Sequence, residues 1–219
     1  MKQIPLFLLD LLYPNRCDCC GSSIPYDAAI CRSCAEQLCE LRISYADWAA
    51  QKQHLPWKNG AALYAYKGIA RSGILALKDG FRGFGKYAAA RLAQEAAQQF
   101  GALDLVTWVP VSDKRRRLQG YAHAELLAKE IAAVLQLPAR GDLLTEQHTI
   151  SRQHDLPAHE REQYAHRFSQ TGIPLQGQTV LLVDDILTTG STMKRCTSEL
   201  LAAGAGSVYI AVVCCAGIH

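Results

Sequence analysis

The sequence lacks long hydrophobic runs. No apolar stretch approaches the ~18 residues that a membrane span needs, so a membrane-spanning protein is not expected. The N-terminal stretch IPLFLLDLLY is short, contains Asp10 and is not followed by a small-residue cleavage site. It is predicted to be a short amphipathic helix rather than a signal peptide. Internal repeats and low-complexity tracts are also missing, which excludes repeat architectures.

Charge of one sign is not strongly in excess either. The net charge of +3 neither requires nor opposes nucleic-acid binding. With 219 residues, 49% hydrophobic and 20% charged, the chain has the composition of a soluble globular protein. This length suits one mid-sized domain plus a small appendage. We expect a cytoplasmic protein, or one held peripherally at the inner face of the membrane.

Cysteine is the residue type that the sequence has in unusual supply. Six of the nine cysteines lie between Cys17 and Cys39. An odd, clustered set is a poor disulfide framework, and in a reducing compartment it usually indicates a metal site. Cys17, Cys20, Cys31 and Cys34 form two Cys-x-x-Cys turns separated by ten residues. Four such thiolates suit a tetrahedral zinc ion, and free buried thiols are the alternative.

Two further cysteines of this region do not fit the Cys-x-x-Cys spacing and are not predicted to bind the metal. Cys19 could replace Cys20 as a ligand, but the spacing favours Cys20, and Cys39 is predicted to be a packing residue. The metal is expected to supply most of the folding free energy of so small a module, whose role is structural or the docking of a partner. The predicted division is residues 1–50 for the N-terminal helix and zinc finger, and 51–219 for the main domain.

The main domain alternates short apolar strands with helical stretches. Because the strands are apolar without alternation, they indicate an α/β fold with a parallel sheet covered on both faces. The predicted strands are Gly60–Tyr66, Leu103–Val111, Val180–Val183 and Ser207–Cys215. The predicted helices are Ile69–Gly80, Gly85–Phe100, Tyr121–Leu137 and Ser191–Ala203. Residues 141–177 are polar and weakly periodic, which predicts a partly ordered functional loop.

The stretch VLLVDDILTTGST (180–192) places two carboxylates, Asp184 and Asp185, after an apolar strand. Ligands of open α/β sheets bind beyond the carboxyl ends of the strands. The following loop leads into a helix, whose N-terminus suits a phosphate, while carboxylates accept hydrogen bonds from sugar hydroxyls. The pattern therefore predicts a ribose 5-phosphate site; an acidic strand end with a hydroxyl-rich turn is the alternative. The loop residues are Thr188, Thr189, Gly190, Ser191 and Thr192.

This stretch resembles the phosphoribosyl-pyrophosphate (PRPP) motif of type I phosphoribosyltransferases. The resemblance implies a Mg²⁺–PRPP site, with ribose hydroxyls on Asp184 and Asp185 and the 5-phosphate in the loop 188–192. It also implies a pyrophosphate loop in TWVPVSDKRRR, whose basic run could instead be a solvated surface or a nucleic-acid patch. Thr188 stands where relatives acting on 6-oxopurines carry a carboxylate, which argues against that substrate class. The implied loop residues are Pro110, Val111, Ser112, Lys114 and Arg115.

Together, the double Cys-x-x-Cys and the PRPP motif resemble the ComF family of competence and DNA-utilisation proteins. The segments VPVSDKRRRLQGYAHAELLAKEIA and TISRQHDLPAHEREQYAHRF are also similar to segments of that family. The sequence departs from the family pattern at residues 119–123 and at Tyr164, so the residues that would bind an acceptor are not assigned. The resemblance implies a role in the uptake or handling of single-stranded DNA during natural transformation. Its implied partners are a competence helicase and recombination-loading proteins.

Basic residues lie in two parts of the chain, and aromatic residues interleave with the first of them, as in surfaces that bind single strands. The candidate aromatics for base stacking are Tyr64, Tyr66, Phe81, Phe84 and Tyr87, with core packing as the alternative. The sequence leaves two other functions open, an active phosphoribosyltransferase with an unknown acceptor and a PRPP sensor without turnover. No catalytic residue is identified. The candidate nucleic-acid contacts are Lys78, Arg82, Lys86, Arg116 and Arg117.

Overall fold

The structure is a computed structural model that describes residues 15–111, 122–146 and 168–217. The predicted N-terminal helix lies outside these residues, as do most of the predicted pyrophosphate loop and two of the predicted DNA contacts. None of the described helices is long and apolar enough to cross a membrane. The predicted site residues that fall outside the described ranges are Ser112, Lys114, Arg115, Arg116 and Arg117.

A four-stranded, fully parallel sheet forms the centre of the fold, with strand order β1-β6-β5-β2. A separate antiparallel pair is made by β3 and β4. The strands are β1 Asn59–Ala65, β2 Leu105–Trp108, β3 Leu144–Glu146, β4 Phe168–Gln170, β5 Thr179–Leu187 and β6 Ser207–Cys215. The described helices are α1 Arg32–Glu40, α2 Tyr45–Ala49, α3 Gly68–Lys78, α4 Gly83–Gln99, α5 His123–Leu135 and α6 Ser191–Ala202.

Each face of the sheet is covered by its own hydrophobic core. In β5, Leu181 and Val183 point into the core that contains α3, α4 and α5. Val180 and Leu182 point to the opposite side, into the core that contains α6 and α2. This explains the unbroken apolar run of the strand, since both of its faces are buried. The predicted parallel α/β architecture is confirmed.

The cysteine-containing segment packs directly on the main domain. Cys17, Cys34 and Leu38 belong to the same core as α3 and α4. The chain then runs along the edge of β1, where the N–H of Ala65 donates to the Leu41 carbonyl at 2.9 Å and that of Ile43 to Leu63 at 3.1 Å. The segment thus covers the edge of the parallel sheet before α2 joins the opposite core.

Two strand boundaries differ from the prediction in a way that matters for the site. β5 does not end at Val183 but continues through both aspartates to Leu187, because β6 stays paired with it as far as Cys215. β2 is shorter than predicted and ends at Trp108, two residues before Pro110, which has no N–H for a sheet hydrogen bond. The acids therefore lie within a strand whose neighbour on the β2 side has already ended.

Candidate phosphosugar and metal sites

The four predicted metal ligands converge. The Sγ atoms of Cys17, Cys20, Cys31 and Cys34 all lie within 4.8 Å of one another, and those of Cys20 and Cys31 are 3.7 Å apart. A tetrahedral zinc ion with Zn–S bonds of about 2.3 Å requires sulfurs about 3.8 Å apart. The cluster therefore fits zinc in both ligand type and spacing, and could hold such an ion.

Backbone N–H groups orient the sulfurs. The N–H of Cys31 donates to Cys17 Sγ at 3.3 Å, and that of Cys34 to Cys31 Sγ at 3.4 Å. Hydrogen bonds of Ser22 lower the pKa of the Cys20 thiol to about 6, which favours the thiolate, whereas burial raises the pKa of Cys34. Gly21, directly after Cys20, has φ +76°, a left-handed conformation that glycine adopts without strain.

The two remaining cysteines of this region have different surroundings. Cys19 is buried, and burial raises the pKa of its thiol, so it is a packing residue. Cys39, which was predicted to pack, is exposed. That prediction was wrong because the buried face of α1 carries Cys34 and Leu38, and Cys39 follows Leu38 by a single residue. One residue turns the helix by about 100°, which moves Cys39 off that face.

The aspartate pair lies where β5 is paired on one side. Trp108 is opposite Val183 in the register of β2 and β5, and β2 ends there. On the other side, Asp184 remains opposite Val212 of β6. Pro110, which follows β2, is partly exposed next to this opening. In the described part of the chain, no strand pairs with β5 at the carboxylates on the β2 side, and ligands of open α/β sheets bind beyond the ends of such strands.

Burial and charge act together on the carboxylates. The N–H of Asp185 donates to Asp184 Oδ1 at 2.9 Å. Burial of the carboxyl group and then the negative charge of Asp185 raise the pKa of Asp184 well above its ordinary value. Lys78 compensates part of this charge, since its Nζ lies 3.2 Å from Asp185 Oδ2. The ion pair connects the end of α3 to the centre of the site.

His123 completes the group of titratable side chains at this position. It is the first residue of α5 and is buried. Burial, followed by the positive charge of Lys78, lowers the pKa of His123, while Asp185 and a hydrogen bond with the Leu77 backbone act in the opposite direction. The neutral imidazole is therefore favoured beside the ion pair.

The loop after β5 has the form expected of a phosphate-binding turn. Gly190 adopts φ +79° and is the N-cap of α6, so the helix begins without a capping side chain from that position. Thr189 Oγ1 and Ser191 Oγ are 3.0 Å apart, and Thr188, Thr189 and Ser191 are exposed. The N–H of Ser191 donates to Thr189 Oγ1 at 3.4 Å, so exposed hydroxyl groups cluster at the start of the helix, a position suited to an anion.

An aromatic cluster from the N-terminal segment supports this loop. Trp48 Nε1 donates to the Thr188 carbonyl oxygen at 3.3 Å, and its ring stacks with Trp57 at a centroid distance of 6.4 Å. A Cβ at Gly190 would lie 3.0 Å from the Trp48 ring. Lys194 of α6 donates to the Gln53 carbonyl at 3.2 Å. Residues 45–57 therefore hold the loop 188–192 in place from the side of the core.

The structure buries some of the residues predicted to contact DNA and exposes others. Tyr64 and Phe84 are fully buried, so a stacking role for these two rings was wrong. Phe81 is 58% exposed, and its neighbours Arg82 and Lys86 are exposed with it. The corner between α3 and α4, residues 79–86, therefore carries an exposed ring followed by two exposed basic residues, whereas Lys78 faces Asp185.

Sequence reasoning missed three residues of the site. Lys78 was assigned to DNA, His123 was treated only as a departure from a family pattern, and Trp48 was not considered. Each acts through a contact between residues distant in sequence, 140 residues apart for Trp48 and Thr188. The Leu-Lys pair before Asp79-Gly80 was the one available signal, since a lysine that ends a helix is placed to meet a ligand or an acid.

Residues 122–218 match the family model of the phosphoribosyl transferase domain. DNA utilization protein YhgH of Escherichia coli strain K12 is 28% identical over 111 residues, covering 51% of this chain and 49% of that protein. Its namesake from Salmonella typhi is 29% identical with the same coverage. The chain thus spans about half the length of the curated relatives it matches. The C-terminal part of the chain is therefore similar to phosphoribosyl transferase domains, and the expected resemblance to DNA-utilisation proteins is confirmed.

Two solved structures are similar to part of the chain. Glutamine PRPP amidotransferase from B. subtilis is 26% identical, with a TM-score of 0.43 over 64% of this chain and 27% of that chain. Purine phosphoribosyltransferase from Pyrococcus horikoshii Ot3 is 16% identical, with a TM-score of 0.40 over 60% of this chain and 72% of that chain.

Zinc binding by the cysteine cluster can be tested by substitution. Cys34→Ser removes one of the four converging sulfurs, so the purified variant should lose most of its zinc. Cys39→Ser is the matched control, because Cys39 is exposed and lies outside the cluster. Mass spectrometry of the metal content should give about one equivalent in the control and in the unmodified protein. Full zinc content in Cys34→Ser would show that the ligand set is wrong.

Proposed function

We propose that this protein binds PRPP at the carboxylate pair of β5 and acts in the handling of single-stranded DNA. The observation that carries the proposal is the combination of Asp184, Asp185 and the loop 188–192 at the open end of β5. It lies within the stretch that matches the phosphoribosyl transferase domain. The DNA role is supported by the name of the curated relatives, DNA utilization protein.

The phosphosugar fits the site by charge and by hydrogen bonding. The 5-phosphate accepts hydrogen bonds from the exposed hydroxyls of Thr189 and Ser191 and from the first N–H groups of α6. The ribose hydroxyls donate to Asp184 and Asp185. Lys78 lies on the side of Asp185 and balances the negative charge that a pyrophosphate brings. Pro110 and Val111 border the opening at the end of β2 and are the described members of the proposed pyrophosphate loop.

Magnesium suits this site through the chemistry of its donors. Carboxylate and phosphate oxygens are the ligands that Mg²⁺ prefers, and it is usually held by one or two protein carboxylates plus the substrate phosphates. Asp184 and Asp185 are the described carboxylates that would contact it. When bound, Mg²⁺ supplies positive charge that stabilises the pyrophosphate as a leaving group.

Transfer of ribose 5-phosphate to an acceptor is a second candidate function. It is favoured by the intact carboxylate pair with Lys78 beside it, since both groups are placed where charge would develop as pyrophosphate leaves. Release of pyrophosphate with a defined acceptor would establish this reaction. PRPP binding without pyrophosphate release across a panel of acceptors would favour a sensor.

Substitution of the acids tests PRPP binding. Asp184→Asn and Asp185→Asn each keep the side-chain shape but remove charge, so PRPP affinity in the presence of Mg²⁺ should fall by about tenfold or more. The measurement is isothermal titration calorimetry of the zinc-loaded protein. Asp142→Asn is the matched control, since Asp142 is also ion-paired, with Arg140 at 2.7 Å, and lies outside the site. Unchanged affinity in both site variants would contradict the proposed ribose contacts.

Single-strand binding is tested by fluorescence anisotropy of a short oligonucleotide at several salt concentrations. Micromolar or tighter binding that weakens steeply with salt is expected, because phosphate contacts release counterions. Phe81→Ala should weaken it by about fivefold or more through loss of stacking, whereas Tyr26→Ala, at another exposed ring, should not. No binding at low salt would contradict the DNA role, and equal loss in both variants would contradict stacking at Phe81.

A further inference from the structure

Asp18 lies in sequence between two of the clustered cysteines, and its carboxylate contacts a helix of the main domain. It occupies the first Cys-x-x-Cys turn, next to Cys17, and its Oδ2 accepts a hydrogen bond from the N–H of Phe84 at 2.8 Å. Phe84 is in the first turn of α4, and the N-cap residue of that helix, Arg82, makes no side-chain capping bond. The capping carboxylate of α4 thus comes from a residue 66 positions away, and it meets the positive end of the helix dipole.

The cysteine turn also contacts the start of α4 sterically. A Cβ at Gly83 would lie 2.6 Å from the Ala29 carbonyl oxygen and 3.0 Å from Asp18 Oδ2. The first residue of the helix therefore fits against the segment between the two cysteine pairs only because it has no side chain. A shift of this segment must move either the cap or the helix end.

The start of α4 is in turn locked to the end of α3. The Phe84 ring packs on Gly73, where a Cβ would lie 2.6 Å from it, and Leu77 packs on Gly85, where a Cβ would lie 2.9 Å from Leu77 Cδ1. Close packing of this kind transmits displacement rather than absorbing it. Lys78, next to Leu77, forms the ion pair with Asp185 at 3.2 Å.

We propose that Asp18 is a positioning residue that couples metal loading at the four cysteines to phosphosugar binding at β5. The metal fixes the first cysteine turn, Asp18 fixes the start of α4, and α4 fixes the last turn of α3 that carries Lys78. Loss of the cap moves or loosens Lys78 and weakens binding of the anionic ligand. This inference rests on the proposed PRPP site.

The test uses the full zinc-loaded chain and three variants. Asp18→Ala removes the cap, and Asp18→Asn keeps an oxygen that can accept the Phe84 N–H, because asparagine is also a good N-cap. Asp27→Ala is the matched control, an exposed aspartate between the two cysteine pairs. All four proteins are compared by zinc content, by PRPP affinity with Mg²⁺ and by amide hydrogen exchange of residues 76–86.

The expected result is full zinc content in every variant, with effects confined to Asp18→Ala. Its PRPP affinity should fall by about fivefold or more, within the range of measured couplings between sites, and residues 76–86 should exchange faster. Asp18→Asn should have close to the PRPP affinity of the unmodified protein and nearly its slow exchange at residues 76–86.

Three results would overturn the proposal: unchanged exchange in Asp18→Ala, unchanged affinity despite faster exchange, or equal effects in Asp27→Ala. Absence of PRPP binding by the unmodified protein would instead remove the proposed function. The exchange data would still decide whether Asp18 holds the end of α3.

Discussion

Two adjacent carboxylates in a strand buried on both faces are the constraint on which this structure depends. Their charge is unfavourable there unless other groups compensate it, and Lys78 does so from the end of α3. β2 ends opposite Val183, so no strand in the described part of the chain pairs with β5 at Asp184 and Asp185 on that side. Among the described residues, Lys78 forms an ion pair with Asp185.

The N-terminal segment packs on both faces of the main domain. Its cysteine turns rest on α4, residues 41–43 follow the edge of β1, and Trp48 supports the loop at Thr188. The segment therefore contacts α4 on one face of the sheet and the loop 188–192 on the other. Under the proposed coupling, a metal ion bound by the cysteine turns would stabilise the start of α4 and, through it, the position of Lys78.

The sequence predicted what depends on local pattern. Apolar strands alternating with helices indicated the parallel sheet, and the spacing of Cys17 and Cys20 indicated convergent sulfurs. Contacts between residues far apart in the chain could not be predicted from the sequence. Whether Phe84 stacks on a base or packs on Gly73 depends on how two helices meet, and the cap from Asp18 depends on where the cysteine turn rests. Interleaved aromatic and basic residues do not reveal which side chains face the core.

The most direct test of the central claim is a crystal structure of the zinc-loaded protein with Mg²⁺ and PRPP. The account predicts the 5-phosphate in the loop 188–192, the ribose hydroxyls on Asp184 and Asp185, and the pyrophosphate beside Lys78 and the end of β2. Ligand density elsewhere on the molecule, or none in the crevice at saturating PRPP, would contradict it.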